Sequence, residues 1–158
     1  MEGPATTDDA PRFLADAMLV RLARWLRAVG YDVLLAGPGE PDAAVARRAA
    51  AEGRWLLTRD RALALGEAGA PPPARRLLLR ADAPLAQLLE TRDALGLRDL
   101  ALTFTRCLLC NAPLAVADAE GPDGGPMRRC AACDRDYWEG SHTRRMRVAL
   151  ARALSSPS

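Results

Sequence analysis

Four cysteines in two Cys-x2-Cys pairs, Cys107/Cys110 and Cys130/Cys133, separated by 19 residues, constrain this chain more than any other feature. Two residues between cysteines let both sulfurs of a pair face one ion from a tight knuckle, and two knuckles complete the tetrahedral sulfur shell of a closed structural zinc site. Asn111 follows the first pair, where the knuckle turn favours positive φ, and Gly121-Pro122-Asp123-Gly124-Gly125-Pro126 marks a turn between the arms. The expectation is a zinc ribbon whose ion holds structure and does no chemistry. Four free cysteines, two disulfides or an iron–sulfur cluster are the alternatives. The N-terminus has neither the basic start nor the apolar core of a secretory signal. The richest apolar run, Met18 to Val29, is interrupted by Arg21, Arg24 and Arg27. Both point to a cytoplasmic chain with no membrane partner, where disulfides are disfavoured.

Upstream of the cysteines the pattern is different. Residues 1–11 are small, polar and acidic and read as a loose tail. Short apolar runs at Arg12–Ala15, Asp32–Leu35, Arg54–Thr58 and Arg76–Arg80 then alternate with helical periodicity at 17–29, 41–52, 61–67 and 84–95. Gly30, Gly53 and Gly96 stand where helix C-terminal glycines belong. Strands alternating with helices give α/β, a parallel sheet flanked by helices. The expected organisation is an α/β domain over 12–100, followed by the ribbon and a terminal helix over 104–154.

Asp16, Asp60 and Asp82 lie just past three of the strands, and Asp42 begins the second helix. Ligands of open parallel sheets bind at the carboxyl edge of the strands. Aspartates converging there, without a phosphate-binding glycine loop, suit a hard divalent cation, Mg²⁺ or Mn²⁺. Such an ion polarises a phosphodiester and activates water for in-line attack. The competing reading makes each aspartate an ordinary helix N-cap.

The stretch Phe13-Leu-Ala-Asp-Ala-Met-Leu-Val-Arg-Leu-Ala-Arg-Trp-Leu-Arg27, then Gly30-Tyr31-Asp32, resembles the opening of the Mut-seven C-terminal RNase family. Leu56-Leu57-Thr58-Arg59-Asp60, the cysteine pairs and Tyr137-Trp138-Glu139-Gly140-Ser141-His142 continue the resemblance to about residue 150. It implies a PIN-like α/β domain fused to a zinc ribbon, a metal-dependent endoribonuclease activity and RNA, single-stranded, as partner. By position, Asp16 matches the first-strand acid and Asp60 the acid of the T-x-D motif, with Asp42 and Asp82 at further acidic positions. Val20 replaces a glycine usual in the opening helix, and Thr143 stands where an aromatic is common. The alternative from a different class is a non-catalytic RNA- or ribosome-binding zinc-ribbon protein.

The net charge is only +2, and all 22 basic residues are arginine, spread along the chain, so local clusters matter more than the total. The densest cluster is Arg144, Arg145, Arg147 and Arg152 on the last helix, joined by Arg128, Arg129 and Arg135 in the ribbon. Arg144, Arg145 and Arg147 are the candidate RNA-binding residues, set against a merely solvated face. Ser141 reads as the N-cap of that helix. His142, the single histidine, reads as a surface or supporting residue. Tyr137 and Trp138 either pack the ribbon or stack on bases, and Trp25 and Trp55 read as core.

Overall fold

The structure, a computed structural model, describes residues 10–67 and 69–156. Nearly all of the tail read at 1–11 therefore lies outside the described residues. Four strands, β1 (Phe13–Ala15), β2 (Val33–Leu35), β3 (Trp55–Thr58) and β4 (Arg76–Leu78), form a parallel sheet in the order β2-β1-β3-β4. Helices α1 (Val20–Ala28), α2 (Asp42–Ala51), α3 (Arg61–Leu65) and α4 (Pro84–Leu95) connect or follow them. A short 3-10 turn, Ala17–Leu19, takes up the first part of the helix expected from residue 17.

The alternation of a strand divides the core. Phe13, Ala15 and Leu57 face one side and pack with Leu22, Leu26 and Leu88 of α1 and α4. Leu14 and Leu56 face the other and meet Val45, Ala46, Ala49 and Leu63 of α2 and α3. Both layers are closed to solvent, which is why the strands read as continuous apolar runs. Trp25 and Trp55 pack at the margin of the first layer and are only half-buried.

The ribbon is an antiparallel sheet of β5 (Ala115–Glu120), β6 (Pro126–Cys130) and β7 (Arg135–Trp138). The chain ends in α5 (Ser141–Ser155), whose Met146 and Leu150 join the same core cluster as Phe13 and Leu22. Ser141 is the first helical residue and Gly140 the cap position. The Thr143 hydroxyl accepts from the Gly140 amide at 2.8 Å and ties the first turn to the cap residue, so Ser141 is not the N-cap expected from the sequence. Among the described residues no helix is long and apolar enough to cross a membrane.

Arg27 joins the two sheets. The sequence pattern sets it with Arg21 and Arg24 on the polar face of α1, yet it is only 5% exposed. Its guanidinium donates to Val33 O at 2.8 and 3.0 Å, to Leu108 O at 2.9 Å and to Leu109 O at 3.1 Å. The first cysteine knuckle has covered that part of the helix. Asn111, at φ 71°, completes the seam: its Oδ1 accepts from Val33 N at 2.9 Å and its Nδ2 donates to Asp32 Oδ1 at 2.8 Å. Gly30 lets the linker approach at φ 103°, since a Cβ there would stand 2.9 Å from the Thr103 hydroxyl. An Arg27→Met variant keeps an unbranched, largely apolar stem and removes the donors from one buried carbonyl, Val33 O, and from the part-buried carbonyls of Leu108 and Leu109. It should lose about 3 kcal/mol in urea unfolding of the zinc-loaded protein. An unchanged unfolding midpoint would show that the seam carries no stability.

Candidate functional site: a four-cysteine centre and an acidic strand edge

The four thiols converge. Cys107 and Cys133 sulfurs lie 4.0 Å apart, and Cys110 and Cys130 sulfurs 3.4 Å. A tetrahedral zinc with sulfur ligands at 2.3 Å sets its sulfurs about 3.8 Å apart, so these separations bracket the requirement. No disulfide links them. Among the described residues they are the one group of three or more Cys, His, Asp or Glu whose ligand atoms all lie within 4.8 Å of one another.

Each knuckle turns through a residue at positive φ, Asn111 in the first and Asp134 at φ 56° in the second. The Asn111 amide donates to Cys107 O at 2.9 Å, and the Cys133 amide points at Cys130 Sγ at 3.4 Å. Tyr137 on β7 brings its hydroxyl to 3.0 Å from Cys107 Sγ. Burial opposes ionisation of Cys107, but hydrogen bonds from Tyr137 and from the amides of Cys110 and Leu109 outweigh it and bring the thiol down to about 6. Cys133 is pushed up to about 12, chiefly by its hydrogen bond with Cys110. Without an ion, then, negative charge gathers on Cys107, and a bound cation draws the other protons off.

The acidic residues occupy the opposite kind of setting, at the carboxyl edge of the parallel sheet. Thr58, fully buried at the end of β3, ties two of them together. Its hydroxyl donates to Asp16 Oδ2 at 2.9 Å and accepts from the Asp60 amide at 3.0 Å. Asp16 Oδ1 accepts from Ala17 N at 2.7 Å, and Asp60 Oδ1 from Ala62 N at 2.8 Å and Leu63 N at 3.3 Å. Both aspartates therefore cap a turn or helix, as the simpler reading expects, and both are fixed in orientation by doing so. Asp60 Oδ2 has no hydrogen-bond partner among the described residues.

Asp82 and Asp42 stand apart from that pair. Asp82 is exposed and paired with Arg59, and Asp42 is exposed in the first turn of α2. Neither completes a close carboxylate group with Asp16 and Asp60. Glu90 of α4, which the sequence reading passed over, accepts from the Arg80 amide at 2.9 Å and the Ala81 amide at 3.0 Å and so fixes the loop that carries Asp82. Its one sequence signal was an acid on the helix that follows the fourth strand.

The C-terminal arginines are more neutralised than their spacing suggests. Arg147 makes a bidentate pair with Glu139, at 2.5 and 3.0 Å, and Arg129 pairs with Asp134 and Asp136. Arg144 lies 3.8 Å from Asp123. Among the described residues Arg145 has no acidic partner. His142 is exposed beside the ribbon, well away from the aspartates in sequence.

Residues 11–150 match the family model of the Mut7-C RNAse domain. The chain belongs to that family. Membership points to a nuclease-like, RNA-related function, and the matched span includes both the parallel α/β unit and the four cysteines. No curated protein and no solved structure matches the chain.

Purified protein should carry about one zinc per chain by elemental analysis. Cys107→Ser should lose the metal and the ribbon's fold together, because a module of this size has too little apolar burial to fold alone. A metal-free preparation whose residues 104–154 still show cooperative amide protection would contradict the assignment.

Proposed function

We propose that this Mut7-C chain is a metal-dependent endoribonuclease acting on single-stranded RNA, with Asp16 and Asp60 as the central ligands of Mg²⁺ or Mn²⁺. The observation that supports it most is the Thr58 hydroxyl, which holds both aspartates at one strand edge with an oxygen of Asp60 left over. The donor set suits the ion: Mg²⁺ is commonly held by one or two carboxylates, with waters and substrate phosphate filling the rest. When bound, the ion supplies Lewis-acid stabilisation of the charge that develops on a phosphodiester. The chain's own part is positioning. Thr58 fixes the spacing of Asp16 and Asp60, and their caps fix the rotation of each carboxylate.

Asp82 and Asp42 would serve in this reading as further acids for the ion, Asp82 after release from Arg59. Glu90 and Gln87 steady the Asp82 loop from α4, the latter through Nε2 to Ala81 O at 3.0 Å. Zinc at the cysteines holds the ribbon and α5 in place. Arg144 and Arg145 supply phosphate contacts, and Arg147 joins them through Nη1, which its pair with Glu139 leaves free.

Asp16→Asn and Asp60→Asn test the proposal cleanly, because asparagine is also a good N-cap and the fold should survive. Each should lower Mn²⁺-dependent cleavage of an unstructured RNA by about two orders of magnitude or more, with unchanged zinc content and thermal unfolding. Wild-type protein that cleaves no RNA with any divalent cation, or variants that cleave as well as wild type, would leave a non-catalytic RNA-binding role in its place.

A further inference from the structure

A second feature lies where the linker, the ribbon and α5 meet. Phe104, Tyr137, Trp138, Arg128, Glu139 and Arg147 line an open pocket of about 340 Å³. That volume is within the range of small-ligand sites. Its walls are fixed. Phe104 sits at φ 46°, a conformation L side chains rarely adopt, and is held there by its amide on Ala28 O at 3.1 Å and by Arg128 Nη1 on its own carbonyl at 3.0 Å. Strained backbone that the surroundings over-determine tends to gather at ligand sites.

Trp138 is as firmly placed. A Cβ at Gly121 would stand 2.7 Å from Trp138 Cβ, and one at Gly140 3.1 Å from the indole nitrogen, so glycine backbone closes on the side chain from both directions. Despite that confinement Trp138 remains 42% exposed. Tyr137 is anchored through its hydroxyl to Cys107. Arg147 lays its guanidinium over the Phe104 ring, 6.0 Å from the centroid, with Glu139 bracing it. Among the described residues the aromatic pair in direct contact is Phe13–Tyr31, so Phe104 and Trp138 line the pocket without closing on each other.

The geometry points to a nucleobase subsite: one base of a single-stranded RNA enters this pocket and stacks on the exposed indole of Trp138, while Arg128 and Arg147 answer the flanking phosphates. The inference rests on the RNA-directed reading above and adds to it a place where a base, rather than the backbone, is held. A rigid aromatic platform beside arginines is what single-strand binding requires, since every base has a π-face and each stacked base is bordered by charge. Glu139 offers an acceptor at the pocket rim for a base N–H, which an aliphatic partner side chain could not use.

The test uses full-length protein in the Asp16→Asn background, a short oligouridylate, and an abasic oligomer of the same length. Adding Trp138→Ala should weaken oligouridylate binding about tenfold, and Trp138→Phe should restore most of it. The salt slope should stay the same, because no phosphate contact is removed. Zinc content reports that the ribbon has kept its fold. Photo-crosslinking of 5-iodouridine RNA to the chain with its pocket intact should map to Phe104, Tyr137 or Trp138, and that readout does not depend on how a variant folds. Crosslinks confined to other segments, or Trp138→Ala binding as tightly as its parent, would overturn the subsite and return the pocket to a protein partner's side chain. If the parent binds neither oligomer, the RNA-directed reading falls with it. If it binds RNA while cleavage is absent in wild type, only the catalytic reading falls.

Discussion

One buried guanidinium and one amide side chain join the two halves of this molecule. Arg27 is held by carbonyls of β2 and of the first cysteine knuckle, and Asn111 returns the contact by pairing with both Val33 and Asp32. Asp32 is in turn gripped by Arg54 at 2.8 Å, and Arg54 reaches Phe13 O at 3.2 Å, so the seam runs through to β1, the strand that delivers Asp16. Burial opposes ionisation of Asp32, but hydrogen bonds from Arg54 and Asn111 more than offset it and hold its pKa below the usual value. Its contribution is therefore complete above the ordinary carboxylate range and is lost only as pH falls through the lowered value. Burial works against the charge of Arg27 as well, while the nearby Cys107 and Cys110 favour it. A four-thiolate zinc centre carries excess negative charge, and Arg27 is placed to balance it.

The consequence for function is that the ribbon is part of the α/β unit's fold. Met146 and Leu150 of α5 complete the core beneath α1 and α4. With that layer in place, the carboxyl edge of the sheet is left free for the acids, and the ribbon and α5 present the aromatic pocket and the arginines. The four cysteines and the Asp16–Asp60 pair thus offer separate ligand chemistries, sulfur at the first and oxygen at the second. The two should not compete for ions.

Much of this was legible from residues alone. Continuous apolar runs located the four strands, and period-3.6 patterns the helices of the α/β unit, to within a few residues, because both layers of the core are strongly apolar. The cysteine spacing was enough to foresee the convergence of the four sulfurs. The ribbon strands were not legible: β5 is largely exposed and lacks alternation, since its order comes from the knuckles and the turn at Gly121–Gly125 rather than from a core. Arg27 was hidden for the opposite reason, as an arginine among arginines whose inward setting depends on residues about eighty positions away. Thr58 read as part of a motif, and only its hydrogen bonds reveal it as the tie between Asp16 and Asp60. Spacing also overstated the free charge of the terminal helix, because Glu139 and Asp123 approach it through space.

The central claim, an oxygen-ligand cation site built on Asp16 and Asp60, is tested most directly by anomalous diffraction from crystals soaked in Mn²⁺. A manganese peak is expected at about 2.0–2.2 Å from carboxylate oxygens of both aspartates, with a separate zinc peak among the four cysteine sulfurs. A zinc peak alone, with no manganese at the Asp16–Asp60 edge even with an RNA strand bound, would contradict it.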